Sequence, residues 1–468
     1  MKIKRIEKEI STKVKCPVCG RVVHCPDCCD WICPDCGGVF KDTSEHKDLL
    51  FIDLFAGCGG LSLGLINAGW KGYFAIEKSP DAFNTFKHNL VNNGRDGNYN
   101  GNIEKYANWP NWLEIKAWEI SELLDKHLNK LKGLKGKVQL LAGGPPCQGF
   151  SLAGKRNFSD ERNQLFKKYL ECVNLIDPPL ILIENVVGMS IPFSKSDTVK
   201  SYATQLKESL EENYIVEQKI IQSSRFGVPQ LRPRFITVGF SKKMNLPASF
   251  FERLEEHREE FLSMKGLDVD KPVNVEDAVG DIDRCKKTQI CDDPFSPKGK
   301  FYEIVYDENK IKSPYQKLMR DGCVDNYQPD SLRLVNHKEY TKKRFKLMRK
   351  YCRSGVTIGK EERTKIEKEL NIKIKKQVFI FLDGKRPAHT ITTIPDDLVH
   401  YKQPRVHTVR EYARFQSFPD WFEFKGKFTT GGSMRKLETP RYTQVGNAVP
   451  PLLAEVIGRV LIKSLLNC

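Results

Sequence analysis

Between residues 48 and 240 the chain repeats one pattern, a short apolar run followed by a stretch of helical texture. "LLFIDLFAG" reads as a buried strand, "GGLSLGLINAGW" as a helix, "GYFAIE" as a second strand and "DAFNTFKHNL" as a second helix. "KVQLLAGG", "PPLILIENV", "EQKIIQSS" and "RFITVGF" continue the strand-like runs. Parallel neighbours need a long crossover, usually helical, and those helices cover both faces of the sheet. The alternation therefore predicts an α/β fold with a Rossmann-like, doubly wound, mostly parallel sheet. Ligands of such sheets bind at the carboxyl ends of the strands. The chemistry-bearing motifs of this chain fall at those ends.

After Phe240 the alternation lapses for roughly 140 residues, a region that includes the basic "YTKKRFKLMRKYCRSG" and "KKQVFIFLDGKRPAHT". It returns with "TVREYARFQSFP" and closes on "YTQVGNAVPPLLAEVIGRVLIKSLL", a loop leading into an amphipathic helix. This predicts a catalytic domain over 48–240, a smaller inserted region over 241–386 and a return to the catalytic domain over 387–468.

Residues 1–47 differ in kind, because seven of the 15 cysteines lie between 16 and 36. They form three CxxC pairs, Cys16/Cys19, Cys25/Cys28 and Cys33/Cys36. In a chain with no secretory segment such clustering favours metal over disulfides. "CPVCG" and "CPDCG" carry the Pro and Gly that let a tight turn aim two thiolates at one ion, so a zinc ribbon is assigned to Cys16, Cys19, Cys33 and Cys36. Cys25, Cys28, Cys29 and His24 could complete a second zinc site, with the ligand pairing left open. A redox CxxC is disfavoured because no thioredoxin-like βαβ pattern surrounds it.

The balance of 76 Lys+Arg against 59 Asp+Glu, a net +17, suits a polyanion partner, since each neutralised phosphate releases condensed counterions. "MKIKRIEKEI" is charged throughout, and "LILIENVVGM" is far shorter than the ~20 residues a membrane helix needs. A cytoplasmic monomer with no membrane partner is expected, nucleoid-associated in a prokaryote.

"DLFAGCGGLS", Asp53 to Ser62, is a strand, a glycine-rich turn and a helix start, where small residues let backbone approach a ligand. The next strand ends in Glu77, and an acid there can accept both ribose hydroxyls of an adenosine-containing cofactor. "GPPCQGFS" puts Cys147 at a strand end between rigid prolines and a permissive Gly-containing loop. Buried structural cysteines need neither flank, and amide dipoles at a loop and helix start stabilise a thiolate, so Cys147 reads as a nucleophile. "LILIENV" ends a strand with Glu184 and Asn185, and apolar residues upstream suit Glu184 to carry a proton to a substrate. "QLRPR" supplies Arg232 and Arg234 at alternating positions, on one side of an extended segment, as suits phosphate or carbonyl oxygens.

Taken in order, "DLFAGCGGLS", "GPPCQGFS", "ENV", "QLRPR", "TVREYARFQSFP" and "QVGNAVPP" resemble the motif series of the DNA (cytosine-5) methyltransferases. The resemblance covers residues 50–240 and about 387–468, with the cysteine-rich head outside it. It implies an S-adenosyl-L-methionine pocket built on Asp53, Phe55, Gly57, Gly59, Gly60, Leu61 and Glu77, completed by Pro146, Leu165 and Asn447. The family's usual "GDI" acid stands here as "GNI", in which Asn102 still offers an acceptor oxygen. The resemblance also implies that Cys147 adds to carbon 6 of a flipped-out cytosine, that Glu184 protonates or hydrogen-bonds ring nitrogen 3 and the exocyclic amine, and that Arg234 holds the carbonyl oxygen. Arg232 is expected on the DNA backbone or the catalytic loop, while Arg410 and Glu411 are expected to tie domains together. Double-stranded DNA is the implied substrate, read by the inserted region, and a cognate restriction endonuclease is a family-level partner. A transfer-RNA cytosine-5 methyltransferase can share nearly all these motifs. An inactive zinc and nucleic-acid-binding module and an NAD-dependent oxidoreductase are readings of other classes. The intact Cys147 with Glu184 argues against the module, and the lack of a GxGxxG argues against the oxidoreductase.

Overall fold

In the computed structural model, the residues described are 49–91, 106–146, 165–191, 200–244, 249–285, 287–374, 379–430, 434 and 437–466, with the backbone of 11–15, 22–26, 31–32 and 39–40. The chain divides into two compact units, Met1–Leu49 and Leu50–Cys468. In the first, Ser11–Lys15 pairs antiparallel with Val22–Pro26, and Trp31–Ile32 with Val39–Phe40. His24 and Cys25 lie within the second of those strands; Cys16, Cys19, Cys28, Cys29, Cys33 and Cys36 fall outside the described residues. Among the described residues no group of three or more His, Cys, Asp or Glu is placed to hold a metal ion.

The second unit is built on a six-stranded sheet. Its strands are β1 (Leu50–Leu54), β2 (Lys71–Ile76), β3 (Leu140–Gly143), β4 (Leu180–Asn185), β5 (Tyr214–Gln222) and β6 (Pro233–Ser241). The spatial order is β2-β1-β3-β4-β6-β5. β1 to β4 run parallel, joined through α1 (Gly60–Ala68), α2 (Pro80–Phe86), α3 (Ile120–Lys132) and α4 (Leu165–Ile176). The sheet is mostly parallel, as expected, and departs from parallel only at its far edge, where β6 is antiparallel to both β4 and β5. The connection from β5 to β6 holds a short 3-10 turn, Ser223–Phe226, Gly227 at φ 80° and the two-residue strand Gln230–Leu231, which pairs with Ala388–His389, and no crossover helix, so β5 and β6 pair antiparallel.

Strands β1 and β3 are neighbours although β2 intervenes in sequence and lies on the other side of β1. That reversal opens a crevice above their carboxyl ends, the usual ligand position on such sheets. The apolar residues of β1, β3 and β4 are almost wholly buried, as parallel strands covered on both faces must be.

The chain end closes over this crevice. Helix α5 (Arg441–Asn447) and helix α6 (Pro451–Leu466) are separated by a short break, and the segment Arg441–Leu465 is long and apolar enough to pass for a membrane span. Its most apolar 18-residue stretch is 78% buried within the protein, which marks it as a core element. Small residues set its approach to α1: a Cβ on Gly64 would fall 2.4 Å from the Cβ of Ala454, and one on Gly458 would fall 2.8 Å from that of Ala68. The Trp70 indole N–H donates to the Gly458 carbonyl at 3.0 Å, fixing the register of the seam.

Between residues 241 and 386 the basic stretch forms a helix, Glu339–Tyr351, which buries Phe345 and Met348 and exposes Lys343, Lys346, Arg349 and Lys350. Val409–Phe415 forms a short helix opened by a capping box between Thr408 and Glu411. Its Arg410 is wholly buried, bonded to Asp330 and to the carbonyls of Pro419 at 3.1 Å and Phe422 at 2.7 Å. Glu411 takes a two-pronged bond from Arg405 at 2.7 and 2.8 Å. Both residues serve as internal ties.

Candidate active site

The turn after β1 is shaped by three left-handed residues in five, Phe55 (φ 65°), Gly57 (φ 57°) and Gly59 (φ 101°). A side chain carries a cost in this conformation, which glycine avoids and Phe55 bears. Nothing lies within 4 Å of a Cβ built on Gly57, so this residue faces open space. By contrast a Cβ on Gly59 would meet Leu90 at 2.7 Å, and one on Gly60 would meet the Val449 carbonyl oxygen at 2.2 Å. Leu61 is buried in the core. Of the expected cofactor residues on this turn, Gly57 faces open space, Phe55 is partly buried against the core, and Gly59 and Gly60 allow close packing.

Glu77, at the end of β2, reaches back across the crevice. One carboxylate oxygen accepts from the Gly57 N–H at 3.0 Å and the other from the Ser79 N–H at 2.7 Å. Desolvation raises its pKa, opposed by those amides. Each oxygen has a second lone pair for a ligand hydroxyl, so the turn and Glu77 fit an adenosine ribose.

Asp53 departs from the expected role. It is fully buried beneath the turn, with one oxygen accepting from Ser62 Oγ at 2.5 Å, and that hydroxyl lies 2.8 Å from Tyr106 Oη. The carboxyl pins the start of α1 to the sheet and does not face the crevice. Burial pushes its pKa up to about 7, against the lowering effect of Ser62.

The Pro-Pro segment leaves β3 at a tight junction. A Cβ on Gly143 would fall 2.5 Å from the Leu54 carbonyl oxygen, and one on Gly144 would fall 3.4 Å from a Glu184 carboxylate oxygen. The Asn185 amide donates to the Pro145 carbonyl at 3.0 Å while its own oxygen accepts from the Val186 N–H at 2.8 Å. Asn185, at the end of β4, thus grips the segment at Pro145, and Glu184 lies close beside it at Gly144. Cys147 and Asn102 lie outside the described residues. Leu165 opens α4 and, with Phe55, borders the same core cluster.

Arg234 Nε lies 2.6 Å from Glu184 Oε1, with only 9% and 11% of the two side chains exposed. The antiparallel register explains the contact, since Ile236 lies opposite Glu184 and Arg234 sits one diagonal step away on the same face. Burial lowers the Arg234 pKa and the Glu184 charge opposes it. Glu184, which the sequence showed only to follow apolar residues, therefore also has a cation at hydrogen-bond distance.

Arg232 is also buried, but its bonds differ from the expectation. It donates to the carbonyls of Gly446 at 2.7 Å, Ile391 at 3.2 Å and Ala448 at 3.4 Å, and to Gln230 at 3.3 Å. A guanidinium that is 2% exposed and gives its two terminal nitrogens to four internal acceptors is a strut of the fold, with Nε left without a partner among the described residues. Asn447, the last residue of α5, is exposed.

Cys58, in the glycine turn, is the second cysteine at a strand end. It is buried, with Sγ 3.6 Å from the Gln444 carbonyl oxygen, and burial pushes its thiol up to about 12. It is a packing residue.

A family model, C-5 cytosine-specific DNA methylase, matches residues 49–463. The chain belongs to this family. It is an enzyme that transfers a methyl group to carbon 5 of cytosine in DNA, and the transfer-RNA alternative is not favoured. Among curated relatives of this methylase is the Type II methyltransferase M.DdeI of Desulfomicrobium norvegicum, 30% identical over 415 residues that span 87% of each chain. The Type II methyltransferase M1.HphI of Haemophilus parahaemolyticus is 28% identical over 427 residues, 89% of this chain and 87% of the relative. A solved structure of a candidate DNA modification methyltransferase encoded within an E. coli prophage shares the fold with a TM-score of 0.56 and 22% identity, over 89% of this methylase and 99% of that chain.

Sequence reading missed Asn185 as the anchor of Pro145. A polar residue closing an otherwise apolar, wholly buried strand was the available signal.

Proposed function

We propose that this methylase uses S-adenosyl-L-methionine to modify one specific sequence in double-stranded DNA, with Cys147 as the nucleophile. The observation that carries the reading is the meeting of the Pro145 segment, Glu184 and Arg234 at one end of the sheet, beside the crevice bordered by Gly57 and Glu77.

Carbon 5 of cytosine is a poor nucleophile, and the ring becomes enamine-like only when a thiolate adds to carbon 6. Cys147 supplies that thiolate. The Glu184 carboxyl hydrogen-bonds ring nitrogen 3 and the exocyclic amine as charge develops, and Arg234, already 2.6 Å from it, holds the carboxyl in place and faces the ring carbonyl. Bound S-adenosyl-L-methionine supplies an electrophilic methyl group. Glu77 and the Gly57 backbone orient its ribose, with Phe55, Pro146, Leu165, Asn102 and Asn447 around the rest. Loss of the carbon-5 proton then lets the thiolate leave by elimination. A stacked base cannot reach these groups, so the target is flipped out at a cost of roughly a few kcal/mol.

The inserted region, 241–386, reads the DNA, its exposed Lys343, Lys346, Arg349 and Lys350 meeting phosphates. The Type II relatives support a restriction-modification role beside a cognate endonuclease. In the N-terminal unit the pairs Cys16/Cys19 and Cys33/Cys36 each fall in the chain between two antiparallel strands, which supports a zinc ribbon. Bisulfite sequencing of DNA from cells expressing the chain tests the reading: protected cytosines at one recurrent sequence are expected, and uniform conversion would refute it.

A further inference from the structure

Helix α5 presents Asn447 at its last residue, and at its carboxyl end the Ala448 N–H closes onto the Val445 carbonyl at 3.2 Å, which leaves that oxygen one lone pair and the carbonyls beyond it without an intrahelical donor. Two buried side chains from distant parts of the chain take them. Gln416 Nε2 donates to Val445 O at 2.8 Å and Ala448 O at 2.9 Å, and its Oε1 accepts from Gln230 Nε2 at 2.8 Å. Arg232 donates to Gly446 O at 2.7 Å. The carbonyls of Val445, Gly446 and Ala448 are thereby held by two side chains whose own polar groups interlock through Gln230.

The residues after Gln416 continue the grip. Ser417 adopts a left-handed φ of 61°, and its hydroxyl accepts from the Leu452 N–H at 3.1 Å, at the start of α6. The ring of Phe418 would lie 3.1 Å from a Cβ on Gly60, where the Val449 carbonyl closes from the other side at 2.2 Å. Three consecutive residues therefore touch the Asn447 turn, the following helix and the glycine turn of the crevice. The left-handed bend at Ser417 lets them do so, a strain that persists only where the surroundings over-determine it.

We propose that Gln416, acting with Arg232, is a positioning residue that sets the wall of the methyl-donor pocket. This rests on the reading of that crevice as the S-adenosyl-L-methionine site. Gln416 touches neither donor nor base. It fixes the turn that carries Asn447 and Val449 against Gly60.

The test uses the full chain and S-adenosylhomocysteine as probe, titrated by calorimetry. Gln416→Glu keeps the volume but turns carboxylate oxygens toward two carbonyls. We expect at least tenfold weaker binding, about 1.4 kcal/mol, duplex DNA affinity within about twofold, and a rise in donor KM larger than the fall in kcat. Gln416→Asn and Arg232→Lys, each keeping part of the donor set, should give intermediate losses of about threefold and serve if the glutamate variant does not fold. Folded variants that bind the probe as tightly as wild type overturn the proposal, as does an equal loss of donor and DNA binding. If wild type does not bind the probe, the reading of the crevice fails instead.

Discussion

Asp53 lies wholly buried with one oxygen on Ser62 and the other, Oδ1, among the buried polar atoms without a hydrogen-bond partner. Burial favours its neutral form and takes its pKa from the ordinary 3.8 to about 7. Between these values the folded chain holds a proton that the unfolded chain has released, so folding stability falls as pH rises. The contribution is fully present below 3.8 and is lost as pH passes about 7. At 1.36 kcal/mol per pH unit the span is worth about 4 kcal/mol. Asp53→Asn removes this titration while keeping the shape. The variant should therefore gain on wild type by up to about 4 kcal/mol between pH 4 and pH 7.5, whatever its fixed cost. Comparing the two proteins cancels the carboxylates remote from Asp53, which titrate alike in both; Glu77, whose charge adds to the rise at Asp53, is the coupled exception. Denaturant midpoints at pH 4.5, 6 and 7.5 measure the effect. A difference that does not change with pH would refute the claim that this carboxyl is forced toward its neutral form.

Other outcomes follow from the same geometry. Arg234→Met leaves the Glu184 carboxylate buried and alone, and should cost about 3–5 kcal/mol of stability and abolish methyl transfer; Arg234→Met with Glu184→Gln should recover stability in denaturant melts but not activity. Gly60→Ala forces a Cβ to within 2.2 Å of the Val449 carbonyl oxygen, so overpacking should lower stability by about 1–3 kcal/mol and weaken S-adenosylhomocysteine binding by calorimetry. Cys58, its thiol raised to about 12, should resist alkylation at pH 8 in the folded protein, and Cys58→Ala should retain methyl transfer.

The strand ends were legible in sequence because a fully buried parallel strand must be a continuous apolar run, and polar residues that stop it stand out. Glu77, Glu184 and the Gly-Pro-Pro segment were found that way. The antiparallel edge of the sheet was not singled out, although the few residues between "EQKIIQSS" and "RFITVGF" could have signalled it. The Glu184 to Arg234 contact depends on antiparallel register, which the alternating arginines alone do not fix. Asp53 and Arg232 were given to ligands because charged residues inside motifs invite that reading. Their true partners, Ser62 and the carbonyls around Asn447, are set by packing. Gln416 lies within "TVREYARFQSFP", but its role was not legible, since its partners lie some thirty residues ahead and nearly two hundred behind.

The central claim is that Cys147 forms the covalent bond to cytosine while Glu184 and Arg234 hold the base. Once bisulfite mapping has given the target, a duplex carrying 5-fluorocytosine at that position can be incubated with S-adenosyl-L-methionine and the full chain. Fluorine at carbon 5 blocks the final elimination, so wild type should give a denaturation-resistant protein–DNA adduct, and Cys147→Ser should give none. An adduct with both proteins, or with neither, would contradict the account.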